Sequence, residues 1–116
     1  MRQAVLTAPE QIEFREVPNP TATQLNENEI LIHIKKIGIC GSEIHSYHGE
    51  HPATFYPVVQ GHEYSGIVTA TGAKVTKCKP GDKVTARPQL ACGRCAPCLR
   101  GQYNVCENLP VQAFQA

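Results

Sequence analysis

The chain has 116 residues, which domain-size statistics limit to one domain at most. Lys and Arg number 11 against 10 Asp and Glu, and this balance excludes the clustered basic surface that a nucleic-acid binder needs. The apolar runs fall short of the roughly 18 residues of a membrane helix, and the N-terminus lacks the apolar stretch of a secretory signal. We therefore expect a soluble, cytoplasmic chain without nucleic-acid or membrane partners.

The N-terminal part of the chain is predicted to be mainly β-strand. Ile12 and Phe14 alternate with charged residues until a Pro-Asn-Pro turn ends the segment. The strongest strand is predicted over 29–39. Its apolar residues occupy even positions before the Lys35-Lys36 pair and odd positions after it. Such a change of parity predicts a β-bulge or a strand that passes from one sheet to another.

Helical signal is confined to one short segment. A helix is predicted over 42–48, with Ser42 as N-cap and Glu43 in its first turn. Further strands are predicted over 64–71 and 82–86. Short strands separated by nine Gly and nine Pro residues are typical of a β-barrel or sandwich.

Six cysteines in a chain of this size need an explanation. An extracellular disulfide framework suits the even count but not the missing signal peptide, and clustered cysteines in a reducing compartment more often bind metal. Four of them follow the pattern C-x2-C-x2-C-x7-C in an aperiodic segment: Cys92, Cys95, Cys98 and Cys106. Four thiolates can close a tetrahedral structural zinc site. An iron–sulfur cluster is the alternative, although the bacterial ferredoxin run continues x3-C-P.

A second group of candidate ligands combines sulfur, nitrogen and oxygen donors. Cys40 begins the string Cys-Gly-Ser-Glu-Ile-His, and His62 and Glu63 are adjacent further along the chain. Three ligands leave an open coordination position, as in catalytic zinc sites. Ser42 and His45 supply a hydroxyl and an imidazole, which can pass a proton to bulk water. The alternative for these residues is a buried core cysteine and an exposed His-Glu pair.

Four motifs, taken in order, resemble the zinc-dependent medium-chain alcohol and polyol dehydrogenases. They are CGSEIH at 40–45, GHEYSG at 61–66, PGDKV at 80–84 and the four-cysteine run. The likeness extends from Met1 to about Val111 and is greatest to the sorbitol, threonine and sugar-acid dehydrogenase branch. It implies a mainly β fold, a GroES-like β-barrel with a cysteine-rich structural zinc lobe at about 88–108 and one or two short helices.

The same resemblance implies a role for each candidate residue. Cys40 and His62 become ligands of a catalytic zinc, and Glu63 becomes a direct or near ligand. Ser42 and His45 become the proton relay, while the four clustered cysteines hold the structural zinc. The implied reaction is the NAD(P)-dependent oxidation of a secondary alcohol or polyol to a ketone by zinc-assisted hydride transfer, with a small-molecule substrate.

Two features depart from the family pattern. Glu43 stands where the family usually has Asp. The chain also lacks a G-x-G-x-x-G turn, so we expect the Rossmann coenzyme domain to be absent from residues 1–116. NAD or NADP is then expected only in a longer protein, and the isolated chain is expected to be inactive. An incomplete barrel leaves sheet edges uncovered, from which we expect a homo-oligomer.

Two other functions remain open at this point. The chain without its coenzyme domain is also compatible with a non-enzymatic, zinc-stabilised β-barrel that acts as a binding module. An iron–sulfur electron carrier is the third hypothesis. Among the remaining residues, Cys78 is expected to be a free thiol. His48 and His51 flank a loop with Gly49 and Pro52 and are expected to be exposed to solvent, on a loop that could border a substrate cleft.

Overall fold

The computed structural model describes residues 1–109, which contain five strands, two short α-helices and two single turns of 3-10 helix. The strands and helices are β1 (Arg2–Ala8), β2 (Gln11–Glu16), β3 (Ile30–Ile37), α1 (Gly41–Tyr47), β4 (Tyr64–Thr71), β5 (Lys83–Thr85) and α2 (Ala96–Leu99). The 3-10 turns are Ala22–Gln24 and Tyr103–Val105. Within the described residues, no helix combines the length and apolar character needed to cross a membrane. The mainly β fold with one or two short helices is confirmed.

Two antiparallel sheets form the body of the protein. β1 and β2 pair as a hairpin, and the second sheet has the order β3-β4-β5. Leu6 of β1 exchanges backbone hydrogen bonds with Val58, each 2.9 Å long, which attaches the hairpin to the loop before β4. The buried aliphatic side chains of this region are few: Val5, Leu6, Val58 and Val68.

The change of parity in β3 corresponds to a β-bulge. Ile34 and Lys36 of β3 pair with the consecutive residues Gly66 and Ser65 of β4, so Lys35 is the extra residue. The sequence-based prediction of an irregularity at this point is confirmed. Ile37, beyond the bulge, is 64% exposed.

Some elements differ from the prediction. Strand β1 is not predicted from the sequence because its apolar residues Val5 and Leu6 are adjacent rather than alternating; both are buried, since β1 is covered on both faces. The strand predicted over 82–86 is limited to the three residues of β5. Helix α1 begins one residue earlier than expected, with Cys40 as N-cap, so the assignment of Ser42 as N-cap is wrong.

Candidate metal centres

The four cysteines of the C-terminal run converge into one cluster. Their Sγ atoms all lie within 4.8 Å of one another, and three of the four side chains are buried. Cys95 Sγ and Cys106 Sγ are 3.9 Å apart. A tetrahedral site with Zn–S bonds of about 2.3 Å requires sulfur–sulfur separations of about 3.8 Å. The cluster therefore has the dimensions of a four-thiolate zinc site.

Short turns, rather than strands, bring these cysteines together. Gly93 adopts a φ of +72°, a left-handed conformation that favours glycine, and turns the chain after the first cysteine. Cys95 is the N-cap of α2, and the second 3-10 turn leads into Cys106. Ala91 and Leu109 are the apolar residues that pack against the sulfurs in the described part of the chain. The lobe is therefore built around its sulfur atoms and has little other core.

Hydrogen bonds to sulfur favour the thiolate form of Cys92. Cys106 Sγ accepts the backbone N–H of Cys92 at 3.3 Å, and Cys92 Sγ accepts the side-chain amide of Asn108 at 3.6 Å. Backbone N–H groups of Arg94 and Cys95 also face Cys92. They lower the pKa of the Cys92 thiol to about 6, because a hydrogen bond to sulfur stabilises the charged form.

Spacing and burial distinguish the alternatives for the cluster. All six cysteines, which lie within the described residues, are free thiols, and this argues against a disulfide framework. An iron–sulfur cluster would hold its thiolates further apart than a single ion, because iron and sulfide atoms fill the centre. Burial raises the pKa of Cys98 to about 12. A divalent cation among the sulfurs would supply the stabilisation that burial removes, so the donor set fits zinc.

The second group of predicted ligands also converges, from separate parts of the fold. Cys40 is the N-cap of α1, whereas His62 and Glu63 directly precede β4. One ligand atom from each residue lies within 4.8 Å of the others. Cys40 and His62 are half-buried and Glu63 is exposed. A set of three mixed donors near the surface suits a catalytic zinc with one open position.

Glu43 connects two of these three residues. Its Oε2 accepts the backbone N–H of Cys40 at 3.1 Å, and its Oε1 lies 3.4 Å from His62 Nδ1. A carboxylate behind a ligating histidine fixes the orientation of the ring. The sequence alone assigns Glu43 no more than a place in the first helical turn. The signal that identifies it is the capping-box spacing, with Cys40 as N-cap and Glu43 at N3.

The two predicted relay residues lie on the same side of α1. Ser42 and His45 are three positions apart, a spacing that makes them neighbours on a helix surface. Ser42 is half-buried, whereas the His45 side chain is 64% exposed and its Nδ1 lies 3.1 Å from Glu50 Oε2. The helix thus carries a hydroxyl near the second group of ligands and an imidazole open to solvent.

The remaining residues singled out in the sequence have mixed outcomes. Cys78 is a free, half-buried thiol, as predicted. His48 is exposed, as predicted, and its Nδ1 lies 3.4 Å from Glu10 Oε1. The exposure predicted for His51 is wrong: the side chain is half-buried and lines a small cavity. Its Nδ1 accepts the backbone N–H of Ala53 at 3.3 Å, which holds the ring against the protein.

Known proteins are similar to this chain in both fold and sequence. Residues 26–115 match the family described as the alcohol dehydrogenase GroES-like domain. An L-threonine 3-dehydrogenase of Bacillus velezensis is 42% identical over 101 residues, which cover 84% of this chain and 28% of that protein. The solved structure of alcohol dehydrogenase TADH from Thermus sp. ATN1 has a TM-score of 0.80 at 37% identity and covers 100% of this chain and 33% of that chain.

A third similar protein was solved with a coenzyme. It is the short chain alcohol dehydrogenase (rspB) from Escherichia coli CFT073, complexed with NADH, with a TM-score of 0.78 and 36% identity over 100% of this chain and 33% of that chain. The chain spans about a third of the length of the curated relatives it matches. These similarities confirm the predicted GroES-like fold with its cysteine-rich lobe.

Proposed function

Because the chain belongs to the alcohol dehydrogenase GroES-like domain family, among the zinc-dependent alcohol and polyol dehydrogenases, we propose that it is the zinc-binding catalytic domain of an NAD(P)-dependent dehydrogenase. The proposed reaction is the oxidation of a secondary alcohol to a ketone, with hydride transfer to the nicotinamide. The convergence of Cys40, His62 and Glu63 carries the proposal. It supplies an open set of mixed donors at the N-terminal end of the helix that bears Ser42 and His45.

Each residue of this set has a distinct role in the proposal. Cys40, His62 and Glu63 hold the metal, and zinc bound there supplies the Lewis acidity that lowers the pKa of an alcohol hydroxyl. Ser42 accepts the proton that the alcohol loses and gives up its own hydroxyl proton towards His45. His45 delivers it to water from its exposed position at the helix surface.

The four-cysteine cluster has a structural role in the proposal. Its four thiolates leave no position for substrate, so zinc there stabilises the lobe at about 88–108 and does not take part in the reaction. Since the lobe has few apolar residues to bury, metal binding supplies much of its folding free energy.

The proposal assigns the coenzyme to another part of the protein. Residues 1–116 form the N-terminal catalytic domain, and a Rossmann domain outside these residues binds NAD or NADP. The absence of a G-x-G-x-x-G turn from residues 1–116 supports this division. The substrate is a small alcohol or polyol that reaches both the metal and the nicotinamide.

We test the function with the complete gene product and three variants. The enzyme is assayed with NAD and NADP against simple alcohols, alditols and sugar acids. Cys40→Ser is expected to reduce the rate to background and to lose about one zinc per chain. Cys78→Ser, which alters a free thiol outside both clusters, is the matched control and is expected to retain rate and zinc.

Ser42→Ala separates the relay from metal binding. It is expected to keep the full zinc content and to lower the rate by about 10²–10⁴-fold, the usual contribution of general acid–base catalysis. A zinc-loaded, folded protein that oxidises none of the substrates would contradict the enzymatic function and favour a binding module.

Self-association is the second part of the proposal. Several apolar side chains of the β-sheet region are more than half exposed: Ile12, Phe14, Ile37 and Ile39. An uncovered strand edge beside such residues favours pairing with another copy of the chain. Light scattering over a concentration series is expected to show a homo-oligomer, and a monomer at every concentration would contradict it.

A further inference from the structure

A small polar cavity lies behind the second group of ligands. Its volume is about 30 Å³, and its walls include Glu43, Ser46, His51, Thr54 and His62. A cavity needs about 10–15 Å³ of such volume, and two to four polar partners, to hold a water molecule. The cavity satisfies both conditions.

One wall of this cavity carries an acceptor without a donor. Glu43 Oε2 accepts the backbone N–H of Cys40, but Glu43 Oε1 is fully buried and has no hydrogen-bond partner among the described residues. Its contact with His62 Nδ1, at 3.4 Å, is close enough to orient the imidazole ring but does not have the alignment of a hydrogen bond. A buried carboxylate oxygen in this state is unfavourable unless another donor reaches it.

Two of the three hydroxyl groups that line the cavity, those of Ser46 and Thr54, are already engaged. Ser46 Oγ lies 3.0 Å from the Ser42 carbonyl oxygen, to which only the hydroxyl can donate. Ser46 Oγ is then the acceptor in its 2.7 Å contact with Thr54 Oγ1, and the Thr54 proton is used as well. Neither hydroxyl retains a proton for Glu43.

His51 has a donor that the fold orients. Its Nδ1 accepts the backbone N–H of Ala53 at 3.3 Å, so in the neutral ring the proton is on Nε2. The ring lines the same cavity as Glu43. This backbone contact fixes the tautomer in which Nε2 carries the proton, on a ring that lines the cavity.

We propose that the cavity holds one ordered water, which accepts the Nε2–H of His51 and donates to Glu43 Oε1. Ser42 and Gln60, which also line the cavity, offer an acceptor for the second proton of this water. His51 is then a positioning residue: through the water it holds the Glu43 carboxylate, and Glu43 holds His62. The hydrogen-bond chain is inferred from the cavity and its contacts alone. Its effect on metal affinity also depends on the proposed function, in which the Cys40 site binds zinc.

The hydrogen-bond chain is tested directly on the unmodified protein. Long-range ¹H–¹⁵N correlation spectra are expected to show the Nε2–H tautomer of His51, and a crystal structure is expected to show a water between His51 and Glu43. The Nδ1–H tautomer, or a cavity without that water, would overturn the proposal. Both measurements are independent of metal binding at the neighbouring site.

The effect of this hydrogen-bond chain on the metal site is tested by measuring zinc affinity. Competition with a chelator, after the four-cysteine cluster is loaded, measures zinc affinity at the Cys40 site. His51→Phe keeps the ring and removes both nitrogens, and it is expected to weaken this affinity about tenfold, the lower end of the effect of outer-shell partners. His51→Gln restores a donor and is expected to recover most of the loss. His48→Phe changes an exposed histidine of the same loop and is expected to have no effect.

The possible failures are distinguishable. If the unmodified chain binds no zinc at the Cys40 site, the proposed function fails, while the tautomer and the water still decide the hydrogen-bond chain. If it binds zinc and His51→Phe binds as tightly, with an unchanged unfolding temperature, His51 is not a positioning residue.

Discussion

The two ligand clusters are assembled in opposite ways. The four cysteines lie within one short segment, and turns together with the four-residue helix α2 bring their sulfurs to within 4.8 Å of one another. The second cluster joins Cys40, at the start of α1, to His62 and Glu63, at the start of β4. Its geometry therefore depends on the packing of a helix, a loop and a sheet. The first cluster is local and largely closed, and the second is non-local and open.

This difference has energetic consequences. The lobe around Cys95, Cys98 and Cys106 buries sulfur atoms and few aliphatic side chains, so its fold depends on what the sulfurs bind. The second cluster stands on a sheet region with its own aliphatic core, which includes Val58 and Val68. We expect the lobe to fail when metal is lost and the second cluster to fail when the sheet is weakened.

The largest expected effect is that of Cys95→Ser. Loss of one of four thiolates opens the tetrahedral site, so the variant is expected to lose about one zinc per chain and to unfold between residues 92 and 106. Metal analysis measures the zinc, and amide hydrogen exchange locates the unfolding. Unchanged zinc content would contradict the structural assignment of the cluster.

Graded chelation compares the clusters within one molecule. Four clustered thiolates, three of them buried, are expected to retain zinc at chelator concentrations that empty the three-ligand Cys40 site, which gives two phases of release. Glu43→Gln weakens the support of His62 and is expected to shift only the early phase, by about 10–100-fold in affinity. Glu50→Gln, at an exposed carboxylate that contacts His45, is the control. A single phase would remove the distinction between the clusters.

A core substitution tests the dependence on the sheet. Val68 is 1% exposed in β4, and Val68→Ala is expected to lower the free energy of unfolding of the sheet region by about 2 kcal/mol through lost burial and a cavity. Val105→Ala makes the same change at a side chain that is 55% exposed and is expected to stay within about 0.5 kcal/mol. Denaturant unfolding measures both. Loss of lobe zinc in Val68→Ala would show that the regions are not independent.

Local features of the structure were the predictable ones. Strand β4 has the bounds given by its apolar pattern, the bulge lies at Lys35, and the cysteine spacing anticipates the compact sulfur cluster. Strand β1 was not predicted because its two buried side chains, Val5 and Leu6, are adjacent and therefore do not alternate with polar residues. The position of His51 was not predicted either, because a backbone contact of its own loop turns the ring inward.

The Cys40 cluster was only partly predictable from the sequence. Each of its residues has an ordinary explanation when read alone, and only the order of motifs along the chain indicates that they meet. The contact between Glu43 and His62 joins a helix start to a strand start. Such a contact depends on tertiary packing, which apolar periodicity does not encode.

The smallest expected effect concerns the turn that leads into β5. Asp82 Oδ2 accepts the backbone N–H of Lys79 at 2.9 Å, and this hydrogen bond is the main reason why the pKa of Asp82 is lowered. A carboxyl with a lowered folded pKa contributes stability above its unfolded pKa and loses it as the pH falls through the folded value. Asp82→Asn should therefore be less stable than the parent at neutral pH, and the difference should decrease as the pH falls below about 4 and vanish only below the lowered pKa of the folded state.

The control for this turn is Lys79→Gln. It removes the ammonium group, which lies 3.1 Å from Asp82 Oδ1, and keeps the backbone donor. Because the backbone hydrogen bond has the larger effect on the pKa, Lys79→Gln should change stability less than Asp82→Asn. Thermal unfolding of the three proteins at matched pH values measures the difference, and zinc release at low pH cancels in the comparison. An equal loss in both variants would assign the effect to the charge pair, and a pH-independent loss in Asp82→Asn would assign it to packing of the turn.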